Sequence, residues 1–369
     1  MSVTANNTVR MPASELNFDR ANPRLVEYGV TSASTDADIL QILWDTMDVR
    51  ELVQSIAASG FFEHEPLIVA EEEGRKIVIE GNRRLAAVKV LLDRSTRERD
   101  GWPIPELQAR EREDLENRLP VAMSDRRDSW RYLGFKHVNG PAKWTSYAKA
   151  KYIADVHRQY GIALCDIADQ IGDRHNTVRR LYRGLMVLEQ AERTKVYDRD
   201  DRYRPHLSFS HLYTGLDYDN ISSFIDLRSE EEEAEDPVPV GRLSQLGELC
   251  RWLYGSKREK SLPVVESQNP HLRQLNAVLG SMEAVSALRD DRDLQRAYEL
   301  SRPSSSVFEE SILAAKRELL RARAHLTTGY DGSEQLLRVA GSVAQMAEDI
   351  YDEMHRKFSG GKKQRMTEL

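Results

Sequence analysis

The sequence predicts an α+β protein: a small mixed α/β N-terminal domain followed by a mostly α-helical remainder. Three stretches carry that expectation. Pro66–Val69 and Ile77–Glu80 are short β-branched runs on either side of the polar turn Glu71–Gly74, which reads as strand, turn and strand. From Trp144 onward the apolar residues recur at helical spacing. Within that helical part, Ala168, Gly172, Val178 and Leu181 stand where a helix-turn-helix needs them. A small residue lets two helices approach, a glycine makes the turn, and two apolar residues pin the second helix on the first.

The totals narrow the classes. A chain of 369 residues suggests two or three domains. No apolar run approaches the roughly 18 residues that would suggest a membrane span, and Met1–Arg10 is polar, loose and without a secretory pattern. Cys165 and Cys250 lie far apart, so neither a disulfide framework nor a metal site is expected, which fits a reducing, cytoplasmic setting. A formal net charge of -7 argues against bulk coating of nucleic acid. The charge is uneven, however. Acids concentrate at Glu230–Asp236, and the segment before them is locally basic.

In chain order, the second strand stops at Gly81, and Leu85, Val88, Leu91 and Leu92 then take one side of a helix, with Arg84 and Lys89 on other faces. Gly81 permits a sharp turn, and the first helical N–H groups lack intrahelical partners while the helix dipole adds positive potential. Arg83 and Arg84 add planar donors suited to phosphate oxygens. Asp93–Arg118 is dense in charge and broken by Trp102-Pro103-Ile104-Pro105, which predicts a helix end, a loop and a charged helix over Glu106–Asn117. Leu119–Met123 reads as an edge-like strand, because Pro120 cannot donate to a central ladder.

The helical part opens with Tyr147, Ala148, Tyr152, Ile153 and Val156 on shared faces of a helix that ends near the C-cap candidate Gly161. In the helix-turn-helix that follows, the solvent side of the second helix carries Arg174, His175, Asn176, Thr177, Arg179, Arg180 and Arg183. Such side chains reach phosphates and purine edges, so these seven are the DNA-binding candidates; the alternative is a plain αα-hairpin with a glycine turn. The helix continues over Leu185–Val196, Asp198–Pro205 interrupts it, and short helices are expected at Phe209–Leu216 and Ile221–Leu227. His206 and His211, without further ligands at metal spacing, read as surface or capping residues.

The acidic run with Pro237-Val238-Pro239 reads as a linker, or equally as a solvated helix end. Helices follow at Leu243–Tyr254, His271–Leu279, Ala284–Leu288 and Leu294–Leu300, then two long ones at Val307–Thr327 and Glu334–Phe358 around the turn Gly329–Gly332. In the last, Leu336, Val339, Val343, Met346, Ile350 and Met354 recur at near-heptad spacing, so a stripe faces a partner. The partner is the preceding helix in a hairpin, a second copy in a homodimer, or another protein. The tail Gly360–Arg365 is basic. Domains are thus expected at 1–130, at 131–229 with the helix-turn-helix near 164–184, and at 241–369 with the hairpin near 306–358, with an acidic linker at 230–240.

The N-terminal part resembles the ParB/sulfiredoxin-like superfamily, whose partition members carry a Gly-Glu-Arg-Arg-x-x-Ala box. Here the box reads Gly81-Asn82-Arg83-Arg84-Leu85-Ala86-Ala87. Leu16–Asp19 looks like that family's opening strand, Asn22-Pro23-Arg24 like its turn, Glu51–Gly60 like its helix and Pro66–Val69 like the strand of its first box. Asn82 stands where sulfiredoxins have a reactive cysteine, which removes sulfiredoxin chemistry. The interval from Gly60 to Pro66 is longer than in partition proteins, and the family's Glu-Asn-x-x-Arg element has no counterpart around Phe135–Gly140, which leaves nucleotide hydrolysis open.

The resemblance implies a nucleoside triphosphate, CTP or ATP with Mg2+ as an option, held by Gly81, Asn82, Arg83, Arg84 and Arg24. It further implies double-stranded DNA on the helix-turn-helix and a homodimer. The role would be a partition-like clamp, or a DNA sensor in a mobile-element or phage-defence system. Two alternatives stand beside it. One is a metal-dependent nuclease using Glu80, with Asp19 and Arg24 brought near; the other is a transcriptional regulator indifferent to nucleotide.

Overall fold

Five strands form one sheet in the order β1-β5-β3-β4-β2: β1 (Thr8–Met11), β2 (Leu16–Phe18), β3 (Leu67–Glu72), β4 (Arg75–Glu80) and β5 (Leu119–Met123). The computed structural model describes residues 8–93, 104–139, 144–173, 176–227 and 233–365. It divides into two units, Met1–Ser301 and Arg302–Leu369.

The β3–β4 hairpin turns on Glu73 and Gly74 alone, with φ of 52° and 73°. Two consecutive positive φ angles match the right-handed twist of the flanking strands, so Glu71 and Glu72 extend β3 instead of forming the turn. Two expectations are corrected here. Residues 8–11 are a strand, pairing antiparallel with β5. The strand containing Pro120 is internal, between β1 and β3. Pro120 is tolerated there because it sits one residue before the β3 register begins at Val121, opposite Arg10 of β1.

Helices α1 (Pro23–Val26), α2 (Asp36–Thr46), α3 (Val49–Ser59), α4 (Asn82–Leu92) and α5 (Ala109–Asn117) accompany the sheet. The Asn22 side chain caps α1 by accepting the Arg24 N–H. Sequence reading assigns nothing to α2, although its signature is present. Thr35 and Asp38 close a reciprocal capping box before Ile39 and Leu43, which are buried. The core is built from Leu16, Phe18, Leu43, Val53, Ile56, Leu67, Val78, Leu85 and Val88. α4 is buried over more of its surface than one stripe predicts: Ala86, Ala87 and Val90 are covered as well.

Helix α6 (Arg126–Gly134) and a π-helical segment (Phe135–Asn139) lead into α7 (Ser146–Tyr160), α8 (Leu164–Ile171), α9 (Thr177–Arg193), α10 (Phe209–Gly215) and α11 (Asp219–Phe224). α12 (Leu243–Tyr254), α13 (His271–Leu279), α14 (Met282–Asp291) and α15 (Leu294–Ser301) complete the first unit. One buried apolar cluster runs from Trp130 through Ala297.

The segment read as a linker is tied down where it is described. Glu233 accepts the Leu164 N–H, Glu235 pairs with Arg158 at 3.0 Å and Asp236 with Arg193 at 2.6 Å. Val238 is buried, and its N–H and C=O both bond the Gln190 amide, at 2.9 and 2.7 Å. Glu235 and Asp236 find arginines, so charge density here marks an ion-paired strap.

The second unit comprises α16 (Ser304–Gly329) and α17 (Glu334–Arg365). The two long helices expected from sequence are present, but not as a packed hairpin. No described residue of either helix is buried, and Leu336, Val339 and Met346 remain 53%, 55% and 54% exposed. Among the described residues the heptad stripe is left exposed within the unit.

Asn82 holds the N-terminal domain together through its side chain. Its Oδ1 accepts the Asp19 N–H at 3.1 Å and its Nδ2 donates to the Val78 carbonyl at 2.7 Å, both in buried surroundings. Asn82→Ala is expected to cost on the order of 2 kcal/mol, because buried backbone groups lose their partner. Urea unfolding checks this; an unchanged midpoint would contradict it.

Candidate anion site and nucleic-acid interface

β4 ends at Glu80 and α4 begins at Asn82, so the chain reverses direction through Gly81 alone. Gly81 has φ of 102°, and a Cβ there would lie 2.5 Å from Leu67 Cδ2 and 3.1 Å from an Arg84 nitrogen. Neither the conformation nor the space admits a side chain. The backbone amides that open α4 follow at once, with the positive end of the helix dipole.

The residues predicted to line this turn separate into two groups. Asn82 is buried, and its side chain is engaged with Asp19 and Val78 as described above. Arg84 is also committed: it donates to the Glu65 carbonyl, lies 3.7 Å from the Glu65 carboxylate and 4.0 Å from Glu80, and rests over the Phe61 ring. A helix advances about 100° per residue, which sends Arg84 to the β3 side and leaves Arg83 on another face.

Arg83 is different. It donates to the Asp48 carbonyl at 3.3 Å, and its Nε is buried without a hydrogen-bond partner among the described residues. Burial and then the charge of Arg24 push its guanidinium down, with Asp48 and Glu51 pulling weakly the other way. Arg24, on the short α1, is therefore close enough to be felt as a like charge. The fold brings Arg24 and Arg83 together across about 60 residues of sequence. Two neighbouring cations with an unpartnered N–H are a place for an anion.

Glu80 adjoins this turn and does not fit a metal ligand. Its two oxygens accept from Lys136 Nζ at 2.8 Å and meet His137 Nε2 at 2.7 Å. Burial pushes its carboxyl up, but the hydrogen bond and charge of His137 and those of Lys136 outweigh that and bring it down to about 2. Asp19 is likewise occupied: Arg126 grips it bidentately at 2.8 and 2.9 Å and reaches Glu72 at 2.6 Å. The two acids proposed to share a metal each face their own cations. Among the described residues no group of three or more His, Cys, Asp or Glu side chains could hold a metal ion. Sequence reading missed Lys136, His137 and Arg126. Their signal was the basic residues past the last strand: Lys136 and His137 tie the helical part to the end of β4, and Arg126 ties it to Asp19 and the end of β3.

In the helical part, α8 closes at Gly172 with φ of 72°, Asn176 takes φ of 54°, and the Asp173 carboxylate accepts the Val178 N–H at 2.7 Å, capping α9. Val178 and Leu181 are buried, as a helix-turn-helix requires. Arg174 and His175 lie outside the described residues. Asn176 and Arg179 are exposed at the start of α9 and Thr177 is half-buried. Arg180 and Arg183, expected to face solvent, instead bind Asp217 at 2.5 and 2.8 Å, and Arg180 lies over the Tyr213 ring. The reading surface at the helix start is thus narrower than the arginine count predicts.

The chain resembles ParB structures. One is the C-terminally truncated chromosome-partitioning protein ParB from Caulobacter crescentus complexed to the centromeric parS site: 12% identity, TM-score 0.30, covering 65% of this chain and 98% of that chain. The other is the same truncated protein complexed with CTP-gamma-S: 15% identity, TM-score 0.20, over the same shares. No protein-family model and no curated protein matches. The functional reading therefore stands on this chain's own residues.

The Glu80 cluster sets a pH dependence. Its carboxyl sits below the ordinary 4.5, at about 2, so its contribution to stability is full above pH 4.5 and is lost as pH falls toward 2. Glu80→Gln is expected to unfold more easily than wild type at pH 7, with the gap closing between about pH 5 and about pH 2. Thermal unfolding across that range measures it. A gap independent of pH would contradict the pairing.

Proposed function

We propose that this chain is a DNA-binding protein whose N-terminal domain takes a nucleoside triphosphate at the Gly81 turn, coupling it to DNA binding or to assembly of copies. The observation that carries the reading is the α8–α9 helix-turn-helix, which presents Asn176, Thr177 and Arg179 at the start of its second helix. Those side chains suit base edges and phosphates, and Asn176 and Arg179 are exposed at the start of the helix.

The residues at the turn fit a polyphosphate on two counts: Arg83 Nε is buried without a partner among the described residues, and Arg24 adds a second cation. The Gly81–Ala87 resemblance to the partition box supports the same ligand. CTP and ATP share the phosphates these groups would hold, so both are candidates. The described side chains offer Mg2+ no ligand cluster, and any Mg2+ would arrive on the triphosphate.

Copies would associate through α16 and α17, whose uncovered leucines and methionines are too many for a free surface. If a triphosphate binds better when two N-terminal domains meet, it shifts the population toward a closed pair around DNA. A partition-like clamp and a DNA sensor for a mobile-element or defence partner both use these parts.

Two measurements test this. Titrating CTP and ATP into the full chain is expected to show binding that Arg83→Ala weakens at least tenfold, about 1.4 kcal/mol, with the melting temperature little changed. Equal affinity for wild type and variant would reject the site. Arg179→Ala is expected to weaken duplex binding and to lower the salt dependence by about one phosphate contact. For assembly, Val339→Asp with Met346→Asp should turn a dimer into a monomer in light scattering; a wild-type monomer would refute the C-terminal interface.

A further inference from the structure

Arg180 and Arg183 lie one helical turn apart on α9 and converge on a single carboxylate that comes from another element. Asp217 Oδ2 accepts from Arg180 at 2.5 Å and Asp217 Oδ1 from Arg183 at 2.8 Å, and Arg183 also reaches the Leu216 carbonyl at 3.5 Å. We propose that Asp217 is a built-in counterion that withholds Arg180 and Arg183 from DNA phosphates and so limits sequence-independent binding. The proposal rests on the DNA-binding reading of α9.

The placement of Asp217 is fixed by packing. α10 crosses α9 at Gly184, where a Cβ would lie 2.8 Å from Tyr213 Cβ and 3.3 Å from Tyr213 Cα. Only glycine permits that approach, and it delivers the end of α10, with Leu216 and Asp217, beside the two arginines. Tyr213 completes the holder, with its ring 5.3 Å below the Arg180 guanidinium. The acid is therefore held against the reading helix by the hydrophobic core, not by a flexible loop.

Two cations and one anion leave a net charge of +1, and the arrangement is incomplete as a purely structural knot. The Nε of Arg180 and the Nε of Arg183 are both buried without hydrogen-bond partners among the described residues. A phosphate brought to this edge would meet the partly exposed guanidinium groups, but against a carboxylate that competes for them. The three side chains are 33%, 28% and 34% exposed, so the cluster is open to such a competitor. Exposed pairs of this kind are weak, so the acid tunes binding and does not block it. A protein of net charge -7 that must tell one site from many gains specificity when its nonspecific attraction is held down.

The test is the affinity of the full chain for a random-sequence duplex as a function of salt, for wild type, Asp217→Asn and Asp219→Asn. Asp219 lies two residues on, outside the cluster, and its change alters net charge equally. Asp217→Asn is expected to bind on the order of fivefold tighter at low salt, with a salt slope steeper by about one contact, whereas Asp219→Asn stays near wild type. Adding Arg180→Ala and Arg183→Ala to Asp217→Asn should remove the gain. If wild type binds duplex and Asp217→Asn binds no tighter, or if Asp219→Asn gains as much, the counterion role is overturned and the DNA reading survives. If no form binds duplex, the DNA reading itself falls and the counterion with it.

Discussion

The Asn82 amide, closed between the start of Asp19 and the end of β4, is the constraint on which the N-terminal domain depends. It joins β2, β4 and α4 at one point, directly after a glycine that no other residue could replace. Once that point is fixed, helical geometry decides the fate of the two arginines behind it. Arg84 turns inward to Glu65 and Glu80, and Arg83 is left near Arg24 with a donor unfilled. Asn82, expected from the resemblance at the ligand site, is thus engaged in the fold through its side chain, and its place sets the direction of its neighbours.

Glu80 extends the same logic toward the helices. It is the last residue of β4, and its carboxylate is held by Lys136 and His137 from the segment leading into α7. Arg126 makes a parallel link from α6 to Asp19 and Glu72. The turn that would receive an anion is therefore flanked by ion pairs reaching into the helical part.

Much of this was legible in the sequence, for definite reasons. Periodicity placed the β3–β4 hairpin, α4, and the helices from α7 onward, because those elements bury one clear face. The αL glycines at Gly161 and Gly172 marked helix ends correctly, since little else adopts that conformation cheaply. The failures were long-range. Nothing local reveals that Pro120 lies inside the sheet, that Asp217 neutralises Arg180 and Arg183, or that Glu235 and Asp236 meet arginines on other elements. Charge read along the chain predicts solvated runs; charge read in the fold is mostly paired. The long C-terminal helices were visible, and their stripe stays exposed among the described residues, so pattern alone finds the stripe and leaves its partner open.

The central claim is that the Gly81 turn, with Arg83 and Arg24, receives a polyphosphate. Amide hydrogen exchange of the full chain with and without CTP or ATP tests it most directly. The account predicts that exchange slows together at Gly81–Arg84 and at Asn22–Val26, two segments far apart in sequence that meet only in the fold. Protection confined to other segments, or none at saturating nucleotide, would contradict it.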